Sequence, residues 1–506
     1  MNTFLNQMQR NSNIDFTENG GVTRKTTESS VLDMFATGGA YRNRSDADCI
    51  LLFKNAFEEN RNLAMKCLFY LRDVRGGQGE RRFFRVVFRW LCDQYPKIAE
   101  KNLLNVSEYG RWDDLIYVAE GTKCQDAAFD VIKHQLALDV QCKTPSLLAK
   151  WMPSQNASSA ETKRLGRILA HYLNMTNREY RKTLSVLRAR INVLESLMSA
   201  NRWDEIEFDK IPSKAGLIYR NAFARRDILA KRYEEFAKDD KVKVNAKTLY
   251  PHDIAHRALD WSMREAAPNN PERLMLQKYW NNLPNYYGER KENGIAVVDV
   301  SGSMYGVPME AAVSMGAYIA DKAHGPFANH FITFSATPRL VKFEGVDIVD
   351  KFNRCVQADW GMNTDVQAVF DMLLNTAKSK AVKSEDMPTR IYIFSDMEFD
   401  ACVTFENKTN AWDNRWCHYR TANSVEEINS DLEKIKRQWA REGYEMPSVV
   451  FWNLNARQNR IPAIGKGFSY VSGFSPVMIQ TILSGKDGYD LMLEKLMSNR
   501  YEAVSA

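Results

Sequence analysis

Two rhythms divide the chain. From about residue 41 to residue 284, apolar side chains recur three and four positions apart, the spacing of a helix face turned to a core. Phe53, Ala56, Phe57, Ala64, Cys67, Leu68 and Leu71 make one such stripe, and RFFRVVFRWLC at 82–92 resumes it after a glycine-rich break. Helical spacing returns over 126–138, 161–173, 178–199 and 222–237, with little strand-like alternation between. Helix pairs packed in series, a HEAT-like helical-repeat region, are expected over 41–284, although no fixed sequence period marks the repeats. Residues 1–40 read as a polar N-terminal lead.

Around residue 285 the rhythm changes. NNLPNYYGERKENG, with Pro284, Gly288 and Gly294, has the composition of a connection between domains. After it, short unbroken apolar runs alternate with helix-period segments: IAVVDV, a helix near 308–323, HFITFS, a helix from about 365, IYIFSD, a helix near 424–439, then SVVFWNL. That order predicts a mostly parallel sheet covered by helices, with ligands favoured beyond the carboxyl ends of the strands. The fold class is thus α followed by α/β, with a Rossmann-like domain over 285–506.

Composition changes this picture little. The 506 residues are 44% hydrophobic and 26% charged, as in an ordered globular protein. No apolar run of membrane-spanning length and no secretion signal appears, so a cytoplasmic protein with no membrane partner is expected. The eight cysteines show no C-x-x-C pair or metal-finger spacing, and buried reduced thiols are expected. A net charge of +6 is too small to argue for a polyanion unless the basic residues gather on one surface.

The first apolar run after the boundary ends abruptly in chemistry. DVSGS places Asp299, Ser301 and Ser303 just past a buried strand, a carboxylate and two hydroxyls at alternate positions. Thr364 precedes a helix, and Asp396 ends the IYIFSD run, both at the same expected rim. Magnesium takes about six oxygen ligands and keeps some of its waters, so converging acids and hydroxyls from three loops suit it. Capping and turn-making are the alternative for such residues, and Asp365 has the position of a helix cap.

On these residues the C-terminal region resembles a von Willebrand factor A domain with a metal-ion-dependent adhesion site. That family's signature is D-x-S-x-S, then a threonine, then an aspartate on a third loop. The resemblance implies Mg²⁺ or Mn²⁺ held by Asp299, Ser301, Ser303, Thr364 and Asp396, directly or through water, with an open position for a carboxylate from a protein partner. The helical half resembles the TROVE proteins, the Ro autoantigen family, through YLRDVRGGQGERR at 70–82, GRWDDLIYV at 110–118, LAKWMPS at 148–154 and LYPHDIAHRAL at 249–259. The chain also resembles an uncharacterised group of TROVE-like proteins of plants and viruses. This second resemblance implies binding of single-stranded RNA ends and of small structured RNAs.

Charge placement bears on RNA independently. Between residues 161 and 190 stand Lys163, Arg164, Arg167, Arg178, Arg181, Lys182, Arg188 and Arg190 against Glu161 and Glu179. With Leu165, Ile168, Leu169, Tyr172 and Leu173 on the buried stripe, Lys163, Arg164, Arg167 and His171 project from the other side. Together with Arg181 and Lys182 they form the expected phosphate-binding face. RDVRGGQGERR lacks the ending of a P-loop, and a turn between helices is expected there. No G-x-S-x-G elbow is present, and two acids on one cation leave no free general acid, so a non-enzyme is expected. The function read from the sequence is a non-catalytic RNA-binding scaffold with a magnesium-dependent adhesion site; the alternative is a metal-dependent protein-interaction adaptor that binds no RNA.

Overall fold

Helix boundaries in the first half follow from side chains that cap backbone groups. Ser45 and Asp48 form a reciprocal capping box at the start of helix Asp46–Glu59, the Asn60 side chain accepts from Leu63 N–H at the start of Arg61–Arg72, and Glu80 caps Arg81–Gln94. The apolar stripe of Arg81–Gln94 is buried along its length, at Phe83, Phe84, Val87, Phe88, Leu91 and Cys92. Phe69 of the preceding helix meets Phe84, Phe88 and Tyr109 in edge-on ring contacts. Further helices, among them Trp112–Ala119, Gln125–Gln141, Ala160–Tyr172 and Asn177–Arg190, continue to Pro271–Asn281.

The computed structural model describes residues 13–191, 194–247, 249–290, 292–357, 364–400, 431–458 and 460–506. These fall into two compact units. One comprises 44–284 with 347–349 and 494–506; the other comprises residues up to Asn43, 285–346 and 350–493. Both units are discontinuous. The C-terminal segment joins the helical unit through Arg500 and Tyr501, which converge on buried Asp73: Arg500 Nη2 donates to Asp73 Oδ1 at 2.7 Å and the Tyr501 hydroxyl to Oδ2 at 3.0 Å. Asp73 opens the RDVRGGQGERR turn, whose glycines are there for geometry. A Cβ on Gly77 would stand 1.9 Å from the Tyr70 carbonyl oxygen. Arg75 pairs with Glu108 and Arg82 with Asp46, so two of the turn's arginines are already neutralised.

The second unit begins with a hairpin, β1 (Ile14–Phe16) and β2 (Val22–Arg24), paired antiparallel. Its main sheet contains β3 (Gly294–Val298), β4 (His330–Thr333), β5 (Leu340–Lys342), β6 (Arg390–Ser395), β7 (Ser448–Asn453) and β8 (Phe468–Ser472). The order is β5-β4-β3-β6-β7-β8, all parallel except the short edge strand β5. β3 and β8 are buried along their whole length and β6 and β7 at every position but the first; β3, β6 and β7 therefore read as unbroken apolar runs, whereas β8, FSYVS, with its two serines, and the short β5 gave no such run and were not expected. Helix Ser30–Thr37 packs beside β8, with Val31, Met34 and Phe35 fully buried. The Gly39 N–H donates to Ser472 Oγ at 2.9 Å, and a Cβ on Gly39 would lie 2.8 Å from that oxygen. Residues 13–40, expected to be a polar lead, therefore belong to this unit, and Val31, Met34 and Phe35 to its core. The expectation failed because the hairpin is too short and polar to register as strand. The helix expected at 424–439 is described over Asp431–Arg441; its first part lies outside the described residues.

Candidate metal centre and cationic face

The sheet order sets the site. From β3 the chain moves outward to β4 on one side and returns to β6 on the other, so the crevice between the carboxyl ends of β3 and β6 is the topological switch point. Asp299 follows β3 and Asp396 follows β6. The Asp299 N–H extends the strand ladder by donating to the Phe394 carbonyl at 3.0 Å. Its side chain is fully buried: Oδ1 accepts from Ser301 N–H at 2.8 Å and Oδ2 from the Ser395 hydroxyl at 2.6 Å. Ser301 and Ser303 flank Gly302, and their hydroxyls lie 3.1 Å apart.

Asp396 is 1% exposed, and its Oδ1 accepts from Glu398 N–H at 3.2 Å. Its Oδ2 is buried without a hydrogen-bond partner. The next residue, Met397, has φ 68°, a left-handed conformation that costs a non-glycine residue about 1–3 kcal/mol. That turn lets Met397 N–H reach Ser395 Oγ at 3.0 Å and folds the loop back over the strand end. Burial, and secondarily the charge of Asp396, push the Asp299 carboxyl up to about 6. Burial also raises Asp396, with the Ser303 hydroxyl pulling the other way. Two buried acids and two hydroxyls thus face one another with an unsatisfied oxygen among them. This donor set fits a hard divalent cation, which would favour both ionised forms and supply the missing partner. It holds only two acids, and among the described residues no group of three or more His, Cys, Asp or Glu could hold a metal.

Thr364, the fifth expected ligand, makes its hydrogen bonds further along the β6 loop. Its hydroxyl donates to the Glu398 carbonyl at 2.9 Å and lies 3.2 Å from Asp400 Oδ1, while its N–H donates to Asp400 Oδ2 at 2.9 Å. Asn19 of the N-terminal hairpin donates to Thr364 Oγ at 3.2 Å and to the Glu398 carbonyl at 2.8 Å. Asp365 caps helix Val366–Lys380 by accepting from Ala368 N–H, as its position predicted. Glu398, Asp400 and Asn19 were missed in the sequence. The alternating acids of DMEFD were the available signal for the first two; nothing local pointed to Asn19.

On the helical unit, Arg167, His171, Arg181 and Lys182 are exposed and Lys163 is half-buried, on Ala160–Tyr172 and Asn177–Arg190. Arg164 departs from expectation. Its guanidinium is held by Glu161 at 2.7 Å and by Glu120 at 2.8 Å, the second just past the end of helix Trp112–Ala119, which sequence spacing could not bring near. Arg188 and Arg190 donate to backbone carbonyls, Ala149 and Met152 for the first and Val140 for the second. They hold the local fold together. Lys163, Arg167, Arg178, Arg181 and Lys182 have no acidic partner among the described residues.

The chain belongs to the family described as Domain of unknown function (DUF2828), which matches residues 17–135 and 139–286. Residues 293–503 match a second family, Domain of unknown function (DUF7788). A viral relative, the uncharacterised protein L728 of Acanthamoeba polyphaga mimivirus, is 28% identical over 523 residues, spanning 94% of this chain and 86% of that protein. Among solved structures, the Ro (RSR) protein of Deinococcus radiodurans aligns over 93% of this chain and 99% of its own at 12% identity, with a TM-score of 0.39. Among the described residues no helix is long and apolar enough to cross a membrane.

Proposed function

We propose that the protein is a non-catalytic RNA-binding scaffold of TROVE type, whose sheet-containing unit holds Mg²⁺ or Mn²⁺ at the ends of β3 and β6. The observation that carries the RNA reading is the set of five cations, Lys163, Arg167, Arg178, Arg181 and Lys182, left without acidic partners on two consecutive helices. Such a set attracts phosphate without regard to sequence and releases counterions on binding. Replacing Lys163, Arg167, Arg181 and Lys182 together with glutamine should weaken binding of a single-stranded RNA. The log–log salt slope should fall by about 0.7 for each lost contact, measured by fluorescence anisotropy across a salt series. Unchanged affinity and slope would remove this face from the reading.

Asp299, Ser301, Ser303 and Asp396 would hold the cation, with Thr364 on the adjoining loop. The cation supplies a positive charge at the rim to which a carboxylate of a protein partner can bind. A second reading, an adaptor that grips an acidic partner and binds no RNA, is favoured by Tyr305, 86% exposed two residues past Ser303, where an aromatic ring would otherwise be buried. Manganese-dependent capture of an acidic peptide by protein that fails to bind RNA would select it.

A further inference from the structure

Three of the short sequences that set the helical half apart, RDVRGGQGERR, GRWDDLIYV and LAKWMPS, are well separated in the chain yet fold onto one place. At its centre is Asp114, fully buried, whose Oδ2 accepts from Arg72 Nε at 2.9 Å and Nη2 at 2.7 Å and whose Oδ1 accepts from Arg85 Nε at 2.6 Å. Asp113 beside it accepts from Arg85 Nη2 at 2.9 Å and from Arg111 Nε at 2.8 Å. The carboxylates thereby fix three guanidiniums, and two of these, Arg85 and Arg111, each lie over an aromatic ring. Arg85 is 4.0 Å from the centre of Tyr117, and Arg111 is 4.1 Å from that of Trp151. Both rings border an open cleft of about 280 Å³, together with Asp113, Lys150, Ser154 and Thr162. Arg85 and Arg111 do not line it. A molecule entering the cleft meets the two rings, each stiffened by a cation that is itself pinned.

We infer that this cleft binds a single unpaired nucleotide, its base stacked against Tyr117 or Trp151 and its phosphate on Lys150. Ring faces held rigid at a solvent-open cleft are stacking platforms, and every base has a π-face to offer them. Lys150 has no acidic partner among the described residues and stands beside Trp151, where it would meet a phosphate. Asp113, whose carboxylate is held by Arg85 and Arg111, places acceptor oxygens at the cleft wall that the N–H groups of a nucleobase can share. The Ser154 hydroxyl accepts from Arg188 Nη1 at 2.8 Å and so keeps its own proton to donate. The volume lies near the lower end of the roughly 300–1,000 Å³ typical of ligand pockets, which suits one nucleotide and excludes a base pair. The cleft deepens the RNA reading and rests on it for an RNA source of that nucleotide.

The test uses the full chain and two probes, 2-aminopurine riboside monophosphate and a single-stranded ten-residue RNA with one internal 2-aminopurine, whose fluorescence falls when the base stacks. Quenching is expected, and Trp151→Leu should weaken the quenched complex roughly five- to hundredfold. Lys150→Gln, a milder change, should weaken it and lower its salt dependence, which keeps the test valid if Trp151→Leu perturbs folding. Quenching of the RNA alone assigns the nucleotide to a strand; quenching of the monophosphate as well assigns a free nucleotide. RNA that binds by anisotropy without quenching, or with quenching indifferent to Trp151→Leu, Tyr117→Leu and Lys150→Gln, overturns the cleft and leaves the RNA reading standing. A quenched monophosphate with no RNA binding does the reverse.

Discussion

Asp114 shows how much can depend on one carboxylate. Burial pushes its pKa up, yet the charges and hydrogen bonds of Arg72 and Arg85 outweigh burial and hold it below the ordinary carboxylate value. An acid depressed in the native state stabilises it above its unfolded pKa, near 3.9, and loses that contribution as pH falls through the native value. Acid unfolding of the helical unit should therefore steepen below about pH 4. Asp114→Asn should cost about 3–5 kcal/mol in urea denaturation, because it leaves Arg72, 2% exposed, as an uncompensated buried cation. Asp299 has the opposite sign. Its native carboxyl titrates near 6, above an unfolded one, so metal-free protein should lose stability as pH rises from about 4 to about 6. A bound cation reverses this, stabilising the fold by RT ln(1 + [Mg²⁺]/Kd), about 2.7 kcal/mol at a hundredfold excess. Thermal unfolding across a magnesium titration should show that gain in the native sequence and its loss in Asp299→Ala; equal shifts in both would send these residues back to a turn-making role.

Among the elements, helix Ser30–Thr37 does for the sheet what its neighbours in sequence do not suggest. It covers β8 with Val31, Met34 and Phe35, so a fragment of 286–493 would expose that face. Such a fragment should aggregate or unfold without cooperativity, and joining 13–43 to it should restore a single cooperative transition in circular dichroism. In the main sheet β3, β4, β6 and β7 were legible, because strands buried on both faces leave unbroken runs such as IAVV and IYIF; β8, FSYVS, and the short edge strand β5 were not. Asp299, Ser301, Ser303 and Asp396 were legible because each polar residue interrupts or follows such a run. The hairpin was not, since the Thr17 and Asn19 side chains donate to the carbonyls of Phe399 and Glu398, 382 and 379 positions away, and leave no local period. Arg164 was misjudged for the same reason. A helical wheel shows which way a side chain points, and Glu120, at the end of helix Trp112–Ala119, lies in its path.

At the scale of the molecule, the charge excess of +6 is less informative than which cations the fold pairs with acids and which it leaves exposed. Arg164 and Arg188 are committed to the fold, while Lys163, Arg167, Arg181 and Lys182 are not. Changing the latter four should leave the free energy of unfolding within about 0.5 kcal/mol of the native value, as surface substitutions do, while altering RNA affinity. The discontinuity of both units has a consequence for synthesis. Gly39 must wait for Ser472, 433 residues later, and Asp73 for Arg500, 427 residues later. At about 5–20 residues per second the ribosome needs roughly 20 to 90 s to supply those partners. Through that interval the nascent chain carries an apolar helix without its sheet and a carboxylate without its guanidinium, a long opening for chaperones, proteases or a neighbouring nascent copy to act on.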